Sequence, residues 1–173
     1  MKVLIVSTCA EKLNELEFVN PIVNLIGKNV DYELANISNA EKMSAKFDKI
    51  IICGTAVADN KYLEDKFEWL KDFDKPVLGI CSGIQIISKT FGGEIVPKKE
   101  IGMVEVKGNL FGQKKFKAYA LHTNGISKLS EFKILARSKK SVQAIKHKSK
   151  EIYGVMFHPE VRNEWVISEF IKT

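Results

Sequence analysis

The sequence predicts an open, mostly parallel, twisted α/β sheet with helices on both faces and a small antiparallel addition. In the first half, apolar strand-like runs alternate with helical stretches, which indicates right-handed βαβ crossovers and a parallel sheet. From about residue 94 to 157 the chain changes to short alternating segments that are typical of antiparallel strands. Its 173 residues suit one hydrophobic core, so we expect a single domain over residues 1–173.

Individual elements follow from these periodicities. The first half contains four expected strands, near residues 2–7, 30–37, 49–53 and 76–80. The helices expected between them lie near residues 11–27, 60–73 and 82–91. The second half contains five expected strands, near residues 103–107, 116–121, 132–137, 142–146 and 151–156, and a last amphipathic helix near 163–172. Ligands bind at the carboxyl ends of the strands in open α/β sheets, so the residues that follow each strand are the candidates for a site.

The strongest functional signal is the cysteine that follows the fourth expected strand. Val77–Ile80 is predicted to be a buried strand, Cys81 ends it, and a helical pattern begins at Ser82. A strand, a tight turn and a helix with a nucleophile at the turn form a nucleophile elbow, and the flanking Gly79 and Gly83 suit its close packing. The helix dipole at this position favours thiolate over thiol. Taken alone, an intracellular cysteine is more often a small buried apolar residue.

A second motif favours a catalytic role for Cys81. The strand-like run from Ile152 to Phe157 ends in His158-Pro159-Glu160. Residues two apart in an extended segment project to the same side, so His158 and Glu160 point together, and Pro159 excludes a helix there. An imidazole beside a carboxylate is the base and orienting group that a cysteine nucleophile requires. The two motifs together predict a Cys-His-Glu triad.

These motifs resemble those of the class I (triad) glutamine amidotransferases. Residues 79–85, GICSGIQ, match the family's G-x-C-x-G-x-Q at every fixed position, and residues 154–160, GVMFHPE, match its G-V-x-F-H-P-E. Residues 100–102, EIG, lie where the family commonly has E-x-G, and residues 122–124, HTN, lie where many members have S-H-x-D. The resemblance covers nearly the whole chain. The tail AIKHKSKEIYGVMFHPEV is most similar to the stand-alone glutaminase subunits of GMP synthetase.

The resemblance implies a flavodoxin-like fold and an assignment of roles. Cys81 would attack the side-chain amide of glutamine, His158 would transfer protons, and Glu160 would orient His158. The implied oxyanion hole is formed by backbone N–H groups of Ser82 and of the Gly54-Thr55 turn, and the implied glutamine-binding residues are Gln85, Asn124 and Gly125. The resemblance implies no cofactor and no metal. It implies a separate synthetase that uses the ammonia, because the chain has no ATP-binding P-loop.

The chain also departs from the family pattern. Residues 53–56, CGTA, stand where members usually have an S-G-G-P-like turn that helps form the oxyanion hole. Residues 7–10, STCA, replace a D-x-G-G-type turn after the first strand, Leu121 replaces a serine, and Asn124 replaces an acid. These changes leave two alternatives open. One is a γ-glutamyl hydrolase or peptidase of the same fold, and the other is a non-catalytic regulatory subunit.

Composition limits the class of protein. No apolar run reaches the ~20 residues of a membrane span, and no signal peptide follows the first strand, so we expect a cytoplasmic protein without a membrane partner. Three cysteines without a CxxC pair argue against a disulfide framework or a zinc ribbon. A zinc site built from Cys81, His122 and His158 is a further alternative, although structural zinc normally takes four ligands.

Charge is unevenly distributed along the chain. Residues 98–150 contain 14 Lys or Arg against three Glu, whereas residues 1–97 contain 11 Lys or Arg against 14 Asp or Glu. This basic half is either a solvated lysine-rich surface or a face for an acidic partner, such as a synthetase subunit. It lacks the interleaved stacking aromatics of an RNA-binding platform, so nucleic acid is not the expected partner. Phe111, Phe116 and Tyr119 are expected in the core or an interface, and His147 on the surface.

Overall fold

The computed structural model describes residues 1–27 and 30–173. The strands are β1 (Lys2–Ser7), β2 (Asp31–Asn36), β3 (Lys49–Ile52), β4 (Val77–Ile80), β5 (Glu94–Leu110), β6 (Gln113–Ser127), β7 (Phe132–Arg137), β8 (Val142–His147) and β9 (Ile152–Val155). The α-helices are α1 (Glu15–Phe18), α2 (Asn20–Ile26), α3 (Ala40–Ser44), α4 (Ser82–Thr90) and α5 (Trp165–Lys172). Short 3₁₀ turns lie at Lys12–Asn14, Ile37–Asn39, Lys61–Leu63 and Glu68–Lys71.

All nine of these strands belong to one sheet, in the order β2-β1-β3-β4-β9-β8-β7-β5-β6. The first five in this order pair in parallel, and the remaining pairs are antiparallel. The parallel core and the antiparallel extension confirm the fold class expected from the sequence. β4 and β9 are neighbours, with Ile80 opposite Val155, so the segments that follow these two strands emerge side by side.

Two apolar layers cover the two faces of the sheet. Alternate residues of β1 divide between them: Val3 and Ile5 pack on the layer that contains α2 and α5, and Leu4 and Val6 pack on the layer that contains α3 and α4. The strands β3, β4 and β9 are completely buried, which explains their continuous apolar sequences. None of the helices in residues 1–27 and 30–173 is long and apolar enough to cross a membrane.

Two helix predictions were wrong in detail. The helix expected over 11–27 is divided into a 3₁₀ turn, α1 and α2, and the break at Val19 precedes Pro21, whose missing N–H suits the first turn of a new helix. The helix expected over 60–73 consists of two separate 3₁₀ turns. There the packing of Tyr62, Phe67 and Leu70 into the core determines the backbone path instead of helix propensity.

The second half also differs from expectation. β5 and β6 form a long hairpin, whereas the sequence predicted only residues 103–107 and 116–121. Irregular pairing between Pro97 and Glu100 and between Lys107 and Leu110 interrupts the inward–outward alternation, so each strand had the sequence pattern of shorter pieces. The short helix α3 was not predicted.

His147 was expected at the surface, but it is 5% exposed. Its Nδ1 accepts hydrogen bonds from the N–H groups of Ser149 and Lys150, both at 3.2 Å. The imidazole ring also packs against Phe91 and Phe132, with ring centroids 4.6 and 5.3 Å apart. Its lysine neighbours in sequence therefore gave a false signal of exposure. Phe111 and Phe116 pack against the core, as expected.

Candidate active site

Cys81 occupies a strained turn between β4 and α4. Its backbone has φ 51° and ψ −100°, a conformation that non-glycine residues rarely adopt and that nucleophile elbows require. The Cys81 N–H donates to the Val155 carbonyl oxygen at 2.9 Å, which fixes the turn against the end of β9. A Cβ on Gly79 would lie 2.5 Å from the Gly83 carbonyl carbon, and a Cβ on Gly83 would lie 2.4 Å from the Ile52 carbonyl oxygen. Both glycines are therefore needed for α4 to begin this close to β4 and β3.

His158 and Glu160 form a buried pair beyond β9. Glu160 Oε1 lies 2.7 Å from His158 Nδ1, and both side chains are 1% exposed. A carboxylate accepts, so Nδ1 carries the proton and Nε2 is the free nitrogen of the neutral ring. Among the described residues, Nε2 has no hydrogen-bond partner. The Tyr119 carbonyl accepts the His158 N–H at 2.9 Å, and the Phe18 ring packs 5.4 Å from the imidazole.

Gly54 separates Cys81 from His158. A Cβ built on Gly54 would lie 2.9 Å from His158 Cε1 and 3.3 Å from Cys81 Cβ. The two side chains therefore face each other across a position where only glycine leaves room for both. The strand ends thus bring together all three predicted members of the triad.

The charged groups of the site change the pKa of His158. Burial opposes protonation, but the negative charges of Cys81 and Glu160 outweigh it and raise the pKa of His158 well above its usual value.

The thiols of Cys9 and Cys53 have surroundings that differ from those of Cys81. Burial raises the pKa of the half-exposed Cys9, and complete burial raises the pKa of Cys53 well above its usual range.

The Gly54-Thr55 turn is held from two sides. The hydroxyls of Thr8 and Ser82 lie 2.7 Å apart and within 3.1 and 3.0 Å of the Cys53 carbonyl oxygen, which joins the turns after β1, β3 and β4. The Thr55 hydroxyl donates to Asp59 Oδ2 at 2.9 Å, and the same oxygen accepts the Ala10 N–H at 2.7 Å.

Backbone donors near Cys81 remain free. In residues 1–27 and 30–173, neither the Gly54 N–H nor the Thr55 N–H donates to a protein acceptor. Ser82 is the first residue of α4, where a helix leaves its N–H groups without intrahelical partners. The arrangement therefore has donors on two elements for a negative charge that develops beside Cys81.

Comparison with known proteins identifies the family of this chain. The model of the class-I glutamine amidotransferases matches residues 15–170. The chain belongs to this family. The resemblance inferred from the sequence is thereby confirmed.

Named relatives of this amidotransferase agree. A protein of Methanothrix thermoacetophila named as a subunit of glutamine-hydrolysing GMP synthase is 42% identical over 104 residues, which cover 54% of this chain and 58% of that protein. The protein of the same name from Pyrococcus furiosus is 36% identical over 140 residues, 74% of each chain. The match with the Methanothrix protein thus spans less than two thirds of its length.

Solved structures share the fold. The structure of a putative GMP synthase subunit from Thermoplasma acidophilum has a TM-score of 0.83 and 24% identity, and the match covers 99% of this chain and 92% of that one. A glutamine amidotransferase from Thermotoga maritima has a TM-score of 0.69 and 18% identity, with 99% and 83% covered. At these identities the likeness establishes the fold alone.

The residues predicted to hold glutamine occupy different positions relative to the cleft of this amidotransferase. Gln85 and Asn124 line the cleft beside Cys81. Gln85 Oε1 accepts from the Tyr62 hydroxyl at 2.7 Å, and Asn124 Nδ2 donates to Asn60 Oδ1 at 2.9 Å. Gly125 is buried and is not among the cleft-lining residues, and a Cβ there would lie 2.7 Å from Lys98 Cβ. Its glycine is explained by that close approach.

The substitution at Leu121 has little local consequence. Its carbonyl oxygen lies 3.6 Å from Cys81 Sγ, so the contact with the nucleophile is made by the backbone. The side chain that replaces the family's serine is therefore not needed for this contact.

Sequence reasoning missed three residues of the site. Thr8 and Asp59 fix the Gly54-Thr55 turn, and Tyr62 binds Gln85. Burial raises the pKa of Tyr62, which keeps its hydroxyl a donor. The position of Thr8 directly after β1 was the available signal, because that strand ends on the same edge as β4.

The zinc alternative does not fit this arrangement. In the part of the chain that the structure describes, no group of three or more His, Cys, Asp or Glu side chains is placed to hold a metal ion. Cys81, His122 and His158 therefore do not form such a set.

Proposed function

We propose that this chain is a glutaminase subunit that hydrolyses glutamine to glutamate and ammonia. The observation that carries the proposal is the strained Cys81, which faces the buried His158–Glu160 pair across Gly54. A nucleophile, a base and an orienting carboxylate in this order are the requirements for acyl transfer to a thiol. The reducing cytoplasm, where a free thiol persists, is the proposed location.

The proposed reaction has two steps. The Cys81 thiolate attacks the side-chain amide carbon of glutamine, and the N–H groups of Ser82 and of the Gly54-Thr55 turn stabilise the oxyanion. His158 protonates the departing amine, so ammonia leaves and a γ-glutamyl thioester remains. His158 then takes a proton from water, the hydroxide attacks the thioester, and glutamate and the thiolate are released. Glu160 stabilises the imidazolium in both steps and fixes the tautomer of His158.

We further propose that the Gly54-Thr55 turn limits the isolated subunit. Family members usually have a second glycine where Thr55 stands, and the Thr55 hydroxyl is tied to Asp59. Removing one oxyanion donor typically lowers the rate ~10²–10³-fold, so a misdirected N–H in this turn would produce slow basal turnover. A partner that reshapes the turn would then activate the enzyme.

The proposed partner is a separate synthetase that consumes the ammonia, in the synthesis of GMP. The names of the relatives support this proposal, because each is named as one subunit of a glutamine-hydrolysing GMP synthase. An enzyme with one named subunit has at least one other, and the synthetase activity would reside there.

The β5–β6 hairpin is the proposed docking face for an acidic surface of that partner. Its outer side exposes Ile101 and Met103, which are 52% and 51% exposed. Lys115 is already paired with Glu105 at 3.0 Å, whereas Lys114 and Lys117 form no ion pair within residues 1–27 and 30–173. Lys117 shares a face of the hairpin with Met103 and its partner Tyr119, whereas Lys114 lies near the hairpin turn. Unpaired lysines on this hairpin suit a partner of opposite charge.

Charge reversal tests this face. The variant with Lys114→Glu and Lys117→Glu should lose activation by the purified GMP synthetase partner and keep basal turnover, and Lys46→Glu in the first half is the matched control. Unchanged activation would remove the hairpin from the interface. Affinity for arbitrary RNA that falls with salt at a log–log slope of roughly −0.7 to −0.9 per phosphate contact would identify nucleic acid as the partner instead.

The γ-glutamyl hydrolase alternative is less favoured by the names of the relatives. The two relatives described above are named for glutamine hydrolysis and not for hydrolysis of a γ-glutamyl conjugate. The non-catalytic alternative is favoured only by the altered turn at Thr55.

Ammonia release separates these functions. The wild-type chain should release ammonia and glutamate in equal amounts from glutamine, slowly alone and faster with the synthetase. Cys81→Ala should abolish the release, and Cys9→Ala is the matched control that should retain it. Turnover of γ-glutamyl peptides but not glutamine would support the hydrolase, and no turnover under either condition would support the regulatory role.

A further inference from the structure

Glu100 is a buried carboxylate outside the triad. It lies in β5, is 5% exposed, and has no ion pair with Lys or Arg in the part of the chain that the structure describes. Neutral donors surround it instead. Ser138 Oγ lies 2.8 Å from each carboxylate oxygen, and Ser141 Oγ and Gln143 Nε2 lie 2.5 and 3.0 Å from Oε2. Burying a carboxylate is costly, and the hydrogen bonds from these neutral donors offset part of that cost.

The imidazole of His122 lies near this carboxylate. His122 Nε2 lies 3.7 Å from Glu100 Oε2. His122 Nδ1 lies 2.9 Å from the Lys98 carbonyl oxygen, and since a carbonyl only accepts, Nδ1 carries a proton. Nε2 is buried and has no hydrogen-bond partner among the described residues. The unpartnered nitrogen of His122 therefore lies close to a carboxylate oxygen, beyond hydrogen-bond distance.

His122 connects Glu100 to the cleft. His122 lines the cleft together with its neighbours Leu121 and Asn124. The Leu121 carbonyl oxygen lies 3.6 Å from Cys81 Sγ. His122 thus directly follows the residue whose backbone lies against the nucleophile. The Ser138–Ser141 turn holds Glu100 through hydrogen bonds.

We propose that Glu100 is a positioning residue which, through His122, holds the segment from Leu121 to Asn124 in the conformation that binds glutamine. The inference rests on the proposed glutaminase function. It assigns Glu100 no contact with the reacting atoms. Glu100 lies directly opposite His122 in the pairing of β5 with β6, and the Lys98 carbonyl of the same strand accepts the Nδ1 proton of His122. Hydrogen bonds from Ser138, Ser141 and Gln143 keep the Glu100 carboxylate in place.

Two ionisable groups act on the His122 proton. Burial lowers the pKa of His122, while Glu100 raises it and His158 lowers it. Removing the charge of Glu100 should therefore lower the pKa of His122 further. That shift is a direct reading of the contact and does not depend on turnover.

Glu100→Gln is the decisive variant, because it keeps the shape and removes the charge. We expect KM for glutamine to rise about 10-fold with kcat changed less than about 3-fold, the size of one lost hydrogen bond between the charged carboxylate and its Ser or Gln donors. NMR titration should show a lower pKa for His122 than in the wild type. Glu94→Gln, at the exposed end of the same strand, should change neither quantity.

A milder variant covers the case in which Glu100→Gln does not fold. Ser141→Ala removes one donor and keeps the charge, and should raise KM about 3-fold, less than Glu100→Gln because the donors Ser138 and Gln143 remain. An active wild type whose KM and His122 titration are unchanged in the folded variants would overturn the positioning role and leave the glutaminase proposal intact. An inactive wild type would overturn the proposed function instead, and the His122 titration would still decide whether Glu100 controls that ring.

Discussion

Replacing Gly54 by alanine tests whether the contact across Gly54 organises the site. A Cβ at this position would lie 2.9 Å from His158 Cε1, whereas ordinary contacts lie at 3.4–4 Å. The imidazole would have to move by about half an ångström to one ångström. It cannot do so freely, because Glu160 holds Nδ1 at 2.7 Å and the Phe18 ring packs beside it.

Turnover should fall measurably in a protein that still folds. A misplacement of about 1 Å at a reacting group lowers the rate up to about 100-fold, so we expect kcat of Gly54→Ala to fall by 10- to 100-fold. One extra methyl group in a packed region destabilises by about 1–3 kcal/mol, which most domains tolerate.

Ammonia release and thermal unfolding measured on the same preparations separate these effects. Gly112→Ala is the matched control, because Gly112 has a φ of 87° and no atom within 4 Å of the added Cβ. This control adds backbone strain without touching the site, so it should lose thermal stability and retain turnover. Wild-type kcat in Gly54→Ala would refute the proposed arrangement of Cys81 and His158.

Three further predictions concern the thiols and the turn. A glutamine-analogue electrophile should label Cys81 and spare Cys9 and Cys53, whose thiol pKa values are raised by burial, and peptide mapping would expose equal labelling as the contrary result. Cys81→Ser should lower the pKa of His158 in an NMR titration, since the Cys81 charge raises it. Because the pKa of His158 in the folded wild type lies above 6.5, its protonation stabilises the folded state fully below about pH 6.5. This contribution to the free energy of unfolding is lost as the pH rises through the folded-state pKa, and Cys81→Ser should weaken this pH dependence. Thr55→Gly should raise basal turnover while Thr55→Ser, which keeps the hydroxyl, should not; equal rates would show that the turn is not limiting.

The parts of the site that were predictable from sequence are those with local causes. Each sequence signal lies within a few residues of the side chain that it concerns. These signals are the apolar runs of β4 and β9, the glycines around Cys81, and the spacing of His158 and Glu160. The pairing of β4 with β9 then brings the two motifs together.

The missed residues owe their positions to the topology. Thr8 and Ser82 are 74 residues apart, and no periodicity connects them. Asp59 lies just before the segment that was expected as a helix over 60–73 and that forms 3₁₀ turns with its aromatic side chains in the core. The length of the β5–β6 hairpin was underestimated because its irregular pairing disrupts the alternation on which strand prediction depends.

The formation of a thioester on Cys81 tests the central claim most directly. The wild-type chain should be mixed with glutamine, quenched in acid and mapped by mass spectrometry of its peptides. We expect a γ-glutamyl adduct on the peptide that contains Cys81, none on Cys9 or Cys53, and none in Cys81→Ser. Glutamate formation without an adduct, together with wild-type turnover in Cys81→Ala, would contradict the role of Cys81 as the nucleophile.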